Sequence, residues 1–286
     1  MDESRQSVKV TAPSVASRKR RRGGEPLVMV TAYDTPFARI VDRAGVDLIL
    51  VGDSVANNVL GFDDTLHVGI DEMVHHVGAV ARATPRALIV ADLPWMSYHV
   101  DTGDTLRNAA RLIRAGAGAV KLEGGRRRLG AISAILDAEI PVMGHLGLTP
   151  QSLHAMGGLK VQGRDVESAS ELALDAKALE GAGCFALVLE GVPDVVGELV
   201  TEAVEIPVIG IGAGAAPDGQ VLVLHDLLGL GERAPARFAR QYVDLAALAT
   251  DAISQFAEDV RSSSFPAAGE SYHGPDALRR SLEGTG

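Results

Sequence analysis

The stretch Leu48-Ile49-Leu50-Val51-Gly52-Asp53-Ser54 decides how the chain folds. Its four apolar residues leave no polar face, so they read as a strand buried on both sides. A carboxylate and a hydroxyl follow where that strand leaves the core. The same pattern returns in Leu88-Ile89-Val90-Ala91-Asp92, in Ala119-Val120-Lys121-Leu122-Glu123 and in Leu187-Val188-Leu189-Glu190. Four strands thus deliver charged groups to one rim.

Outward from these runs, strands are predicted near 27–32, 47–51, 87–91, 118–122, 141–144, 184–189, 207–210 and 221–224. Helices are predicted between them, near 35–44, 71–82, 104–115, 127–138, 167–181 and 194–204. Thr35 is the expected cap of the first, with Pro36 in its first turn and Gly45 beyond its end. Eight alternations in 286 residues fit a single-domain α/β fold, a (β/α)8 TIM barrel over residues 27–265. Residues 54–69 form a long connection directly after Asp53, and 151–165 read as irregular and polar. A helix is expected at about 235–261, then a Ser/Pro/Gly-rich tail over 266–286. Residues 1–26 lack apolar periodicity and carry Arg18-Lys19-Arg20-Arg21-Arg22, so they read as a flexible basic arm outside the fold.

Composition narrows the class. Hydrophobic residues make up 47% and aromatics only 4%, so the core is aliphatic. A net charge of −10 argues against a body that binds nucleic acid. No apolar run approaches the length of a membrane span. The single cysteine, Cys184, forms no internal disulfide and fits a reducing, cytoplasmic setting. It reads as an inert core residue.

In a barrel, Asp53 and Asp92 point into the mouth where such folds keep their sites. Converging carboxylates repel unless a proton or cation lies between them. Hard oxygen donors favour Mg2+ over zinc; the plainer reading is that each Asp caps a helix or ties down a loop. Lys121 and Glu123 share one strand face. They are either a structural ion pair or an anion-holding cation with a carboxylate in or near the metal shell. Glu190 reads equally as a general acid or base or as the N-terminal carboxylate of the next helix. His145 either donates to a substrate or braces a loop. The Gly210-Ile211-Gly212-Ala213-Gly214 run either cradles an anion or only turns the chain tightly.

Taken together these segments resemble the ketopantoate hydroxymethyltransferase family. The likeness rests on Thr31-Ala32-Tyr33-Asp34, Val51-Gly52-Asp53-Ser54, Ala91-Asp92-Leu93-Pro94-Trp95-Met96 and Val120-Lys121-Leu122-Glu123-Gly124-Gly125. It continues through Gly144-His145-Leu146-Gly147-Leu148-Thr149-Pro150-Gln151, Gly157-Gly158-Leu159-Lys160-Val161-Gln162-Gly163-Arg164, Leu189-Glu190 and Ile206-Pro207-Val208-Ile209 with the glycine run. It spans about residues 25–270. The chain departs from the family's usual residues at Val55-Ala56-Asn57-Asn58 and at Gly191, where a cysteine is common.

The resemblance implies a barrel in a large homo-oligomer, typically a decamer, acting in pantothenate biosynthesis. It implies transfer of a hydroxymethyl group from 5,10-methylenetetrahydrofolate to 3-methyl-2-oxobutanoate through a Mg2+-stabilised enolate, giving 2-dehydropantoate. By motif, Asp53 and Asp92 bind the metal, with Glu123 near or in its shell. Ser54 and Lys121, with the two aspartates, hold the keto acid, and His145 joins the substrate-binding set. Glu190 is the proton acceptor. Two rivals stand beside this reading. One is a lyase or mutase of the phosphoenolpyruvate type, which usually carries a loop cysteine nucleophile. The other is a non-enzymatic barrel binding a partner through the basic arm.

Overall fold

The computed structural model describes residues 8–231 and 236–284. The chain divides into two compact units, Met1–Leu227 with Gly231–Arg240, and Leu228–Leu230 with Gln241–Gly286.

The first unit is the expected barrel. In chain order come α1 (Ala12–Ala16), β1 (Leu27–Thr31), α2 (Thr35–Arg43), β2 (Leu48–Val51), α3 (Val55–Asn58), α4 (Ile70–Ala81), β3 (Leu88–Asp92) and α5 (Thr102–Ala115). Then follow β4 (Ala119–Glu123), α6 (Leu129–Asp137), β5 (Val142–Gly147), α7 (Leu153–Met156), α8 (Val166–Ala182), β6 (Ala186–Glu190), α9 (Asp194–Ala203), β7 (Val208–Ile211), β8 (Gly219–Leu222) and α10 (Leu224–Leu228). The strands pair in parallel in sequence order, and β8 returns to β1 to close the barrel. Local chemistry sets the helix ends. Asp34, rather than Thr35, caps α2 by accepting from the Phe37 amide at 2.8 Å. Asp101 caps α5, and Gly116 ends it in the left-handed region. There a Cβ would come within 2.4 Å of the Ala81 Cβ, so only glycine lets α5 turn so close to α4. The eighth strand starts two residues earlier than expected, and the long connection after Asp53 contains α3.

The barrel interior follows from the two-residue period of a strand. One continuous apolar cluster holds Leu27 and Met29, Leu48 and Leu50, Leu88 and Val90, then Ala119, Met143, Ala186, Val188, Ile209 and Val221. Continuing that inward row toward the carboxyl ends gives Asp92, Lys121, Glu123, His145 and Glu190. Apolar side chains fill the lower layers, and charged ones cap them.

The expectation of a flexible arm does not hold for residues 8–26. Val10, Ala12 and Val15 join the interior cluster at the amino ends of the strands, and the Val10 amide donates to the Arg86 carbonyl at 2.9 Å. Lys19, 1% exposed, donates to Asp218 Oδ2 at 2.8 Å and to the Thr201 and Ile206 carbonyls at 2.7 and 3.1 Å. Asp218 also accepts from the amides of Arg20 and Val208, both at 2.8 Å. The basic run is turned onto the barrel itself: Arg18 pairs with Asp47, and Arg21 and Arg22 with Glu205. The plug is Val10 and one face of the five-residue α1, too short a run to show a period, which is why the arm reads as unstructured.

The second unit contains α11 (Leu245–Arg261) and α12 (Asp276–Glu283). The tail helix starts at Leu245 because Asp244 caps it through the Ala247 amide; Pro235, the expected start, lies outside the described residues. The predicted division at 265/266 is therefore displaced, since α11 belongs with the tail rather than the barrel. Among the described residues no helix is long and apolar enough to cross a membrane.

Removing one partner of a buried ion pair leaves the other charge unpaired and costs about 3–5 kcal/mol. Lys19→Met is therefore expected to destabilise the protein by about that much in urea titrations, and deletion of residues 1–24 by more. A change within about 1 kcal/mol, the level of surface pairs, would show the plug to be peripheral.

Candidate active site

The strand register brings the rim residues together. β3 and β4 align Asp92 with Lys121, and β4 and β5 align Glu123 with His145. Glu190 aligns with Gly147 at the end of β5, one pleat above His145. Asp53, Asp92, Lys121, Glu123 and His145 are each no more than 4% exposed. The Glu190 side chain, at 18%, is the most accessible of the set.

The contacts run as a chain around the mouth. The Asp53 amide donates to Asp92 Oδ2 at 3.1 Å. Lys121 Nζ lies 2.8 Å from Asp92 Oδ1, an ion contact that leaves this oxygen without an aligned hydrogen bond. Lys121 Nζ is also 3.2 Å from His145 Nδ1. That nitrogen is 3.5 Å from Glu123 Oε1, and His145 Nε2 is 3.3 Å from Glu190 Oε2. A neutral ring accepts from Lys121 at Nδ1, whereas a charged ring faces a carboxylate at each nitrogen. Ser54, at the rim, shares a 2.9 Å hydrogen bond with the Tyr33 hydroxyl.

The electrostatics follow from burial. Asp53 is held well above the ordinary carboxylate range by desolvation and then by the charges of Asp92 and Glu123, against the pull of Lys121 and Gln151. For His145, burial and the Lys121 ammonium oppose a charge on the ring. Hydrogen bonds to Glu123 and Glu190 prevail, and its pKa is raised to about 9. Lys121 resists desolvation through Asp92, Glu123 and Asp53, and stays an ammonium. Burial pushes the Tyr33 phenol up to about 12, so it remains protonated.

All six predicted site residues of the strand ends, and Ser54, gather at this one face. The glycine run serves close packing: a Cβ on Gly214 would meet the Asp194 Cβ at 2.7 Å, and one on Gly197 would meet the Ala213 carbonyl at 2.0 Å. Cys184 precedes β6 at the opposite end of the barrel, buried, its thiol pushed up to about 12 by desolvation. It is misplaced for the mouth nucleophile that the lyase and mutase rival requires. Two mouth residues were not singled out from sequence, Gln151 and Tyr98. Gln151 donates from its side chain to Asp53 Oδ2 at 2.8 Å and from its backbone to Glu123 Oε2 at 2.9 Å. Its place in the Gly147-Leu148-Thr149-Pro150-Gln151 segment was the one available signal.

A closed parallel barrel with acids, an ammonium and an imidazole at its carboxyl-end mouth defines the class, a (β/α)8-barrel enzyme. A phosphonopyruvate hydrolase shares the fold with TM-score 0.60 at 13% identity, over 96% of this chain and 95% of that one. The chain belongs to the ketopantoate hydroxymethyltransferase family, whose model matches residues 9–268, and it is accordingly a transferase. The match takes in the amino-terminal plug as well as the barrel. A 3-methyl-2-oxobutanoate hydroxymethyltransferase of Methylobacterium sp. (strain 4-46) is 57% identical over 92% of this chain and 91% of its own length. One of Koribacter versatilis (strain Ellin345) is 51% identical over 96% and 93%.

Because the Asp53 carboxyl is raised, the folded protein holds that proton more tightly than the unfolded chain does. Its contribution to stability is full below the ordinary carboxylate range and is lost as pH rises through the raised value. In chelator at mildly alkaline pH, Asp53→Asn is therefore expected to melt higher than wild type, by about 2–4 °C for each kcal/mol of repulsion relieved. The gap should close as pH is lowered. A gap that widens on acidification would reverse the assigned direction.

Proposed function

We propose that this chain transfers a hydroxymethyl group from 5,10-methylenetetrahydrofolate to 3-methyl-2-oxobutanoate, giving 2-dehydropantoate for pantothenate biosynthesis. The observation that carries the proposal is Glu190, the accessible carboxylate of the ring, set against His145 and facing the open mouth. The names of the relatives supply the substrate; the arrangement of side chains supplies a way to activate it.

The site suits a divalent hard cation. Asp53, Asp92, Glu123 and Glu190 outnumber Lys121 and His145, all the acidic donors are oxygens, and Asp92 Oδ1 is buried without an aligned hydrogen bond. Among the described residues no three Asp, Glu, His or Cys side chains gather so as to hold a metal ion by themselves. Mg2+ keeps water and substrate oxygens around it and takes one or two protein carboxylates. Asp53 and Asp92 would hold it. Glu123, its oxygens turned to Gln151 and His145, would stand behind them. When bound, Mg2+ would supply a Lewis acid that polarises the keto group.

The residues then divide the work. Lys121, fixed at Asp92, presents its ammonium to the carboxylate of the keto acid. The Ser54 hydroxyl, held by Tyr33, orients the substrate from the β2 side. Glu190 takes the proton from C3, and a charged His145, its Nε2 3.3 Å from Glu190 Oε2, holds that carboxylate inward by charge. The resulting enolate attacks the one-carbon unit of the folate. Both C–N bonds to the one-carbon unit break as water supplies the hydroxyl oxygen, and tetrahydrofolate leaves with the C3 proton and one proton of the water on its two nitrogens. Burial of Asp53, Asp92, Lys121, Glu123 and His145 keeps water from competing for the aligned charges.

The first test is substrate dependence: 3-methyl-2-oxobutanoate should be consumed only when both methylenetetrahydrofolate and Mg2+ are present. The second isolates the base. In deuterated water the wild type should exchange the C3 hydrogen of the keto acid without folate. Glu190→Gln, which keeps shape but not basicity, should bind the acid and exchange it about 10²–10⁴-fold more slowly. Exchange at the wild-type rate with failed transfer would move Glu190 to a later step.

A further inference from the structure

The inference concerns Gln151 and Tyr98, and it rests on the metal reading of Asp53 and Asp92 above. Gln151 sits on the turn Pro150–Ser152 after β5 and is 6% exposed. It reaches three other strand ends. Its Nε2 donates to Asp53 Oδ2 at 2.8 Å and to the Leu93 carbonyl at 3.0 Å, using both amide hydrogens. Its backbone amide donates to Glu123 Oε2 at 2.9 Å. Its Oε1 accepts from the Tyr98 hydroxyl at 2.6 Å.

Tyr98 decides which way that amide points. The phenol is 4% exposed and is held above its ordinary pKa by burial and by the Glu123 charge, so it keeps its proton. Its oxygen also lies 3.3 Å from the Glu123 amide, which donates to it. The phenolic hydrogen has two acceptors in reach, Gln151 Oε1 at 2.6 Å and the Glu123 carbonyl at 3.3 Å; the shorter contact takes it, so the Gln151 atom that faces Tyr98 is the oxygen. The NH2 end is then left for the carboxylate. Asparagine is one methylene too short for this span, and glutamate would set an anion against Asp53 in place of two donors.

We infer that Tyr98 and Gln151 are positioning residues for the metal site, holding Asp53 as a one-oxygen ligand and Glu123 behind it. Gln151 occupies Asp53 Oδ2, so Oδ1 is left for the cation. One residue therefore fixes the orientation of Asp53, and a second residue fixes the first. Outer groups of this kind are worth about 10–100-fold in metal affinity where they have been removed from other sites.

The test counts bound Mn2+, a paramagnetic stand-in for Mg2+, by electron paramagnetic resonance in wild type, Tyr98→Phe, Gln151→Ala and the double variant. Gln151→Ala should weaken Mn2+ binding about 10–100-fold. Tyr98→Phe should weaken it by less in the wild-type background and not at all in the Gln151→Ala background, because its effect passes through Gln151. Gln151→Met keeps the volume and removes the donors, so it should behave as Gln151→Ala does, with melting of the metal-free protein checking the fold. Equal Mn2+ affinity in wild type and Gln151→Met overturns the inference, as does a Tyr98→Phe effect of the same size in both backgrounds. A wild type that takes up no Mn2+ overturns the metal reading itself, and the inference with it.

Discussion

Too many carboxylates for the cations present is the constraint on which the mouth of this barrel depends. Asp53, Asp92, Glu123 and Glu190 meet Lys121 and His145 within a few ångströms, and all except Glu190 are shut off from water. Each neighbour's state is set by that imbalance. Asp53 is driven toward its neutral form, His145 toward its charged one, and Lys121 is held as an ammonium between them. Such a cluster costs stability when isolated, and the divalent cation and anionic substrate of the proposed function would offset that cost. Binding and catalysis, on that proposal, would draw on the same excess charge.

The rim was legible in the sequence because a strand repeats every two residues and the barrel has one interior. Ala119, Lys121 and Glu123 lie on one face, as do Ala186, Val188 and Glu190, and closure of the sheet aims every such face at the same axis. Buried runs that end in a charge cannot bury that charge anywhere else. The fold was legible for the same reason, since runs apolar on both faces require helices on the outside of the sheet and a filled interior. Boundaries were less so. Capping by Asp34 in place of Thr35 turns on which oxygen reaches the Phe37 amide, a matter of a single residue in register.

What escaped the sequence is what depends on contacts between distant segments. Gln151 and Asp53 are 98 positions apart, and Tyr98 and Gln151 are 53 apart. A glutamine in a polar turn carries no sign of three strand ends waiting for its hydrogens. The plug failed for a related reason. Val10 and the one face of α1 that carries Ala12 and Val15 seal the barrel, and a five-residue helix is too short to show its period in the sequence. Lys19 lay within a basic run, where the usual inference is solvation, yet Asp218, 199 positions on, takes it out of solvent.

The two ends of the barrel solve the burial of charge in opposite ways. At the bottom one ammonium meets one carboxylate, the other two Lys19 hydrogens go to backbone carbonyls, and each Asp218 oxygen accepts a backbone amide. Nothing there can exchange a partner without breaking the fold, so the pair is inert and holds the plug. At the mouth the same types of group are buried as deeply but in unequal number, with Asp92 Oδ1 and His145 Nε2 left out of line with any partner. A ligand can enter that arrangement and improve it. The proposed chemistry therefore falls at the mouth, where the charges are left unbalanced, while the bottom is closed by a balanced pair.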